Sequence, residues 1–137
     1  MSNLWMLDTN TISYLIREPD GAIAKQLATT ELSSVCISVV TEAELLYGLQ
    51  KNSGATALKQ LINAFLIRVA TLPWTSEVAA IYAVLRTELE SRGLAQGNLD
   101  LMIAAHARAL DATLVTSDKA LLQLGDFINV VNWRGDM

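Results

Sequence analysis

The sequence predicts an α/β fold, a three-layer sandwich with a central parallel sheet flanked by helices, and three observations predict it. Short apolar runs rich in β-branched residues alternate with longer stretches of helical period along the chain, the order that builds a parallel sheet through crossover helices. Residues 34–40 include Val35, Ile37, Val39 and Val40 and are nearly all apolar or small, which suits a strand covered on both faces. Acids also stand where such runs end: Asp8 follows Trp5, Met6 and Leu7, and Asp118 follows closely on Leu114 and Val115. In open α/β sheets the carboxyl ends of the strands are where ligands sit.

With 137 residues, the chain reads as one domain, residues 1–137, since two would each be too small to hide an adequate core. Apolar residues make up 52%, enough to exclude disorder over any long span. Asn63, Arg68 and Glu77 interrupt the apolar stretches too often for a membrane span of about 20 residues. Asp8 and Asn10 break up any N-terminal signal pattern. A cytoplasmic protein without membrane contact is expected. Cys36 is the only cysteine, which excludes a disulfide framework and suits a small core residue.

The elements follow in order. Residues 11–17 have helical spacing, and Pro19 disfavours helix before it; Asp20 is placed to cap a second helix carrying Ile23 and Leu27. After the strand at 34–40, a helix is expected from Thr41 to about Leu49, then a long amphipathic helix over 55–69. Residues 71–74 are a short strand at best, because Pro73 lacks a ladder donor. Ser76 caps a helix that Gly93 stops near Ser91. Residues 96–98 read as loop, 100–110 as helix and 113–116 as strand; a short helix over 119–124 leads to a last strand, 128–131.

The net charge is −4, from 10 Lys and Arg against 14 Asp and Glu, which is not the balance of a surface that simply attracts nucleic acid. Setting aside Asp8, Glu44, Asp100 and Asp118 leaves ten acids against ten bases. These four acids are read as converging on a divalent cation, because Mg²⁺ and Mn²⁺ prefer carboxylate oxygen. Carboxylates crowded without a cation would repel and raise one another's pKa. Each acid also has a plainer reading. Asp8 and Asp118 suit helix caps. Glu44 falls three residues after Thr41 in a capping-box pattern, and Asp100 suits first-turn dipole charge. His106 is six residues past Asp100, turned roughly 120° around the helix, and reads as structural or surface. Trp5, Trp74 and Trp133 read as core or interface. No His-Cys constellation suits zinc, and no Gly-rich phosphate loop is present. Arg17, Lys51, Arg86, Arg92, Arg108 and Lys119 are the cations available to grip phosphates.

Four ordered motifs carry a family resemblance: Met6-Leu7-Asp8-Thr9-Asn10, then Glu44-Leu45-Leu46-Tyr47-Gly48, then Asp100-Leu101-Met102-Ile103-Ala104-Ala105-His106-Ala107, then Leu114-Val115-Thr116-Ser117-Asp118. The chain closes on Asn132-Trp133. The sequence resembles the PIN-domain ribonucleases, and within them the VapC toxins of bacterial toxin–antitoxin pairs. The resemblance implies a PIN-like sandwich and assigns metal binding and catalysis, with Mg²⁺ or Mn²⁺, to Asp8, Glu44, Asp100 and Asp118. It matches Asn10 and Thr116 to polar helpers that orient the carboxylates. It departs at Leu99, where many relatives carry Pro or Asn, and at Ala120-Leu121-Leu122, which replaces an acidic-aromatic ending.

What the resemblance implies in function is a metal-dependent endoribonuclease that inhibits translation, cutting RNA and in particular the anticodon stem-loop of initiator tRNA. A cognate antitoxin would neutralise it, a homodimer is expected, and operator DNA would be reached only through the antitoxin. Two other readings stay open on the residues. One is a haloacid-dehalogenase-like phosphatase, where Asn10 would occupy the acid–base position. The other is a domain that binds a partner without chemistry.

Overall fold

The structure, a computed structural model, describes residues 3–135. Its strands are β1 (Trp5–Leu7), β2 (Val35–Ser38), β3 (Ala70–Leu72), β4 (Thr113–Val115) and β5 (Asn129–Val131). They form one sheet in the order β3-β2-β1-β4-β5, with every pairing parallel. The chain builds outward from β1 through β2 to β3, then returns to lay β4 on the other side of β1. Met6 accordingly stands opposite Cys36 on one side and Leu114 on the other. That reversal is a topological switch point, and it opens a crevice at the C-terminal ends of β1 and β4.

The helices are α1 (Thr9–Arg17), α2 (Ala22–Ala28), α3 (Val39–Lys51), α4 (Thr56–Arg68), α5 (Ser76–Ser91), α6 (Asn98–Ala109) and α7 (Lys119–Leu122). Successive strand side chains point to opposite faces, and the sheet uses both. Met6, Cys36 and Leu114 enter one core with Val78, Leu85 and Leu89 of α5 and Ile103 of α6. Leu7, Ile37 and Val115 enter the other with Ile12 of α1, Leu45 of α3 and Ile62 of α4. This is the three-layer arrangement expected, and it explains why the strands read as nearly continuous apolar runs.

Several boundaries differ from expectation for identifiable reasons. The second strand ends at Ser38 and α3 starts at Val39, not Thr41, because Ser38 Oγ accepts from the Val40 backbone N–H at 3.1 Å and caps the helix. Local capping thus overrides the strand preference of Val39 and Val40. α6 starts at Asn98, so residue 98 is helix and not loop. Gly21, not Asp20, occupies the cap position of α2. Thr75, not Ser76, caps α5. Gly93 does end α5: at φ +68°, its N–H donates to Glu90 and that of Leu94 to Leu89, closing the last turn. β3 lies at the sheet edge and stops before Pro73, so the proline removes no ladder bond. Just beyond it, the Trp74 indole donates to the Met102 carbonyl at 3.0 Å and ties α6 to this end of the sheet.

Candidate metal centre

Asp8 is the first residue past β1 and only 3% exposed. Its N–H donates to the Val115 carbonyl at 3.1 Å, so the backbone is held by β4 up to the point where the side chain leaves it. Oδ1 accepts from the Thr11 N–H at 2.9 Å, which makes Asp8 the cap of α1. Thr116 also hydrogen-bonds the Asp8 side chain, and its hydroxyl oxygen accepts from the Asp118 N–H at 3.0 Å. A hydroxyl donates once and accepts besides, so Thr116 links the two acids. Burial pushes the Asp8 carboxyl above its ordinary value. The Thr116 and Thr11 bonds pull it back, and the Asp118 charge adds a smaller push upward.

Asp118 follows β4 and caps α7 through Oδ1, which accepts from Ala120 at 2.8 Å and Leu121 at 3.3 Å. Its plain reading as a cap is therefore correct, as is that of Asp8, and neither excludes a further role. Glu44 is different. Because Ser38 caps α3, Glu44 lies in the second turn and takes no part in a capping box with Thr41. Instead its Oε1 accepts from the Thr9 hydroxyl.

Asp100 stands in the first turn of α6, half-buried. Burial raises its pKa most, followed by the charges of Asp118, Asp8 and Glu44 in that order. The three neighbouring charges thus add to the effect of burial, in the direction expected of like charges. The helix N-terminus, which favours negative charge, does not cancel that push.

The four acids do not close into a ligand shell. Among the described residues, no three His, Cys, Asp or Glu side chains are drawn together tightly enough to hold one ion; Asp8, Glu44 and Asp118 are each turned toward a donor of their own. The donor chemistry nonetheless fits Mg²⁺ or Mn²⁺, which take carboxylate oxygen. The ion pairs among the described residues, Arg86 with Glu90 and Arg108 with Glu88, include none of the four acids. Softer donors are elsewhere: the Cys36 thiol is buried in the core and pushed up to about 12, and His106 faces Ser38.

Asn10 is exposed on α1, lining a cleft of about 460 Å³ with Thr9, Ser13, Arg17 and Glu44. The carboxylate-orienting bond expected near this position comes from Thr9. Sequence reasoning passed over Thr9, although a hydroxyl directly after the first acid was the available signal. It also left the cations unranked. Arg86 and Arg108 are engaged with Glu90 and Glu88; Lys51 lies over Tyr47 and Arg92 over Phe127. Arg17 lines the cleft beside Glu44, and Lys119 directly follows Asp118.

The PIN domain family model matches residues 5–126. Ribonuclease VapC2 of Rickettsia felis is 37% identical over 116 residues, spanning 84% of this chain and 87% of that protein. The tRNA(fMet)-specific endonuclease VapC of Shigella flexneri is 31% identical over 114 residues, spanning 83% and 86%. In the crystal structure of VapBC2 from Rickettsia felis bound to a DNA fragment from their promoter, one chain superposes with a TM-score of 0.84 and 34% identity. That match covers 95% of this chain and 98% of the other. With its all-parallel five-stranded sheet and a family match that spans residues 5–126, the chain belongs to the PIN-domain family, as a ribonuclease of the VapC type.

Proposed function

We propose that this chain is the toxin of a toxin–antitoxin pair, a Mg²⁺- or Mn²⁺-dependent endoribonuclease that cuts initiator tRNA in the cytoplasm and so inhibits translation. The observation that carries the reading is the Thr116 hydroxyl's link between Asp8 and Asp118 at the switch point, with Glu44 held nearby by Thr9, in a chain that matches the PIN-domain model. Asp8, Glu44 and Asp100 would hold the cation, with Asp118 beside them. A cation held there supplies Lewis-acid activation of water and offsets charge developing on the phosphate.

The chain's own residues do the rest. Thr9 and Thr116 hold carboxylates in place through their hydroxyls. Asp8, 3% exposed, lies at the buried floor of the site. Arg17, which lines the cleft with Glu44, and Lys119, next to Asp118 in sequence, would grip phosphates of the RNA.

The tRNA target rests on the Shigella relative, which is named for it at 31% identity; the Rickettsia relative is named only as a ribonuclease. The antitoxin, and promoter DNA reached through it, rest on the Rickettsia VapBC2 complex. A homodimer completes the proposed assembly. No helix among the described residues is long and apolar enough to cross a membrane.

The test is to incubate the purified chain with initiator tRNA, other tRNAs and messenger RNA, with Mg²⁺ or with chelator, and to map the new ends. Metal-dependent cleavage in the anticodon stem-loop, leaving 5′-phosphate and 3′-hydroxyl ends, is expected. Cleavage of messenger RNA alone would replace the target, and cleavage unaffected by chelator would overturn the metal role.

A further inference from the structure

Ser38, at the cap of α3, lies six residues before Glu44; on α6, His106 lies six residues after Asp100. The helical rise separates the members of each pair by about 9 Å. At one end of this arrangement, His106 Nδ1 and Ser38 Oγ are 2.8 Å apart. At the other, the charge of Glu44 reaches Asp100. α3 and α6 pack together, joined by the Ser38–His106 pair, with Glu44 and Asp100 each six residues along its own helix from that pair.

The Ser38–His106 pair is sealed from water, Ser38 being 0% and His106 1% exposed. Ser38 Oγ already accepts from the Val40 N–H. The Pro73 carbonyl acts on the imidazole as an acceptor, although Nε2 has no partner in full hydrogen-bond geometry. With its oxygen already accepting from Val40, the Ser38 hydroxyl is free to donate to Nδ1. Burial lowers the pKa of the ring and keeps it neutral, as this bond requires. An imidazole used only to fill space would need no such partner, and a buried polar group is retained at a cost unless it is bonded.

We propose that His106 is a positioning residue for the metal centre: through Ser38 it fixes the helix carrying Asp100 against the helix carrying Glu44, and so sets the spacing of the two carboxylates. This rests on the metal-dependent reading above. It makes no use of His106 as a ligand, base or nucleophile.

The experiment compares Mn²⁺ binding, read as loss of the free-ion electron paramagnetic resonance signal at neutral pH, in the full chain and its His106→Asn, His106→Gln and His106→Leu variants. Thermal midpoints and the metal dependence of cleavage are measured alongside. The asparagine amide reaches the place of Nδ1 and can keep Ser38 satisfied; glutamine reaches toward Nε2 and leaves it bare.

His106→Asn is expected to bind Mn²⁺ within about threefold of the original chain, and His106→Gln and His106→Leu about 10–100-fold more weakly, the range typical of groups that orient ligands. Unchanged affinity in His106→Gln overturns the proposal. So does weakening of all three in proportion to lost thermal stability, which marks a merely structural histidine. If His106→Leu does not fold, the asparagine and glutamine variants still decide. Should the original chain bind no Mn²⁺, the metal reading itself falls and takes this inference with it, an outcome distinct from normal binding that survives loss of the Ser38 contact.

Discussion

Thr9 and Glu44, 35 residues apart in sequence, are joined by a hydrogen bond in which the Thr9 hydroxyl donates to Glu44 Oε1. The bond ties the first turn of α1 to the second turn of α3, directly beside Asp8. A carboxylate held this way presents its other oxygen in a fixed direction. Replacing Thr9 by Val keeps the β-branched shape and removes the donor. The concentration of Mg²⁺ giving half-maximal cleavage should then rise about 10–100-fold, while Thr9→Ser stays near the original value. A metal titration of cleavage checks this, and an unshifted midpoint in Thr9→Val would show that the bond does not orient Glu44.

Asp8→Asn and Asp100→Asn should each lower cleavage by more than about 100-fold, beyond the loss typical of an orienting partner. Stability should move the other way. The folded-state pKa of Asp100 is raised from 3.8, so its ionised form is disfavoured in the fold. The resulting penalty is absent well below pH 3.8, grows as pH rises toward the folded-state pKa, and is complete above it. Without added metal, Asp100→Asn should therefore melt higher than the original chain at neutral pH, with the gap closing on acidification. His106 titrates in both proteins, so the difference between them isolates Asp100. Thermal melts across pH give the answer; a gap that widens on acidification would contradict the sign.

Asp118 combines two roles that substitution can separate. Asn caps a helix about as well as Asp, whereas Ala does not. Asp118→Asn should leave α7 intact, and Asp118→Ala should lose about 0.5–2 kcal/mol of stability. Both should reduce cleavage if the charge matters at the centre. Because Asp118 is the largest of the charges acting on Asp100, a titration of Asp100 followed by nuclear magnetic resonance in Asp118→Asn should show its pKa moved back toward the ordinary carboxylate range.

Arg17 lines the cleft that Glu44 opens into, and its Nε donates to the Ser13 carbonyl at 3.3 Å. Arg17→Ala should raise KM for RNA with little change in kcat. The salt dependence of binding should become shallower, by about 0.7 in the log–log slope for one lost contact to single-stranded RNA. A parallel loss in Arg86→Ala, whose side chain is paired with Glu90 on α5, would argue for general electrostatics over a local grip.

What could be read in advance follows physical range. The sheet was legible because covering both faces writes apolar residues at most positions of the inner strands, as Met6 and Leu7 show by entering opposite cores. The positions of two acids were legible because strand exits are local features: Asp8 directly follows β1, and Asp118 stands three residues past β4, at the cap of α7. Thr9 was not legible as a holder of Glu44, since a hydroxyl leaves no trace of a partner 35 positions away. The start of α3 was misplaced because Val39 and Val40 favour strand, and only the Ser38 cap decides otherwise. His106 was rightly turned away from Asp100 by helical angle; that this aims it at Ser38 depended on packing between α3 and α6.

The place of β1 in the middle of the sheet has a consequence for when the site takes shape. β1 is flanked by β4, and Thr11 is bonded to the Val115 carbonyl across 104 residues. Pairings so distant in sequence cost loop-closure entropy before they are rewarded and form slowly. The floor of the site, where Thr116 just beyond β4 hydrogen-bonds the Asp8 side chain just beyond β1, therefore forms together with the sheet and not ahead of it.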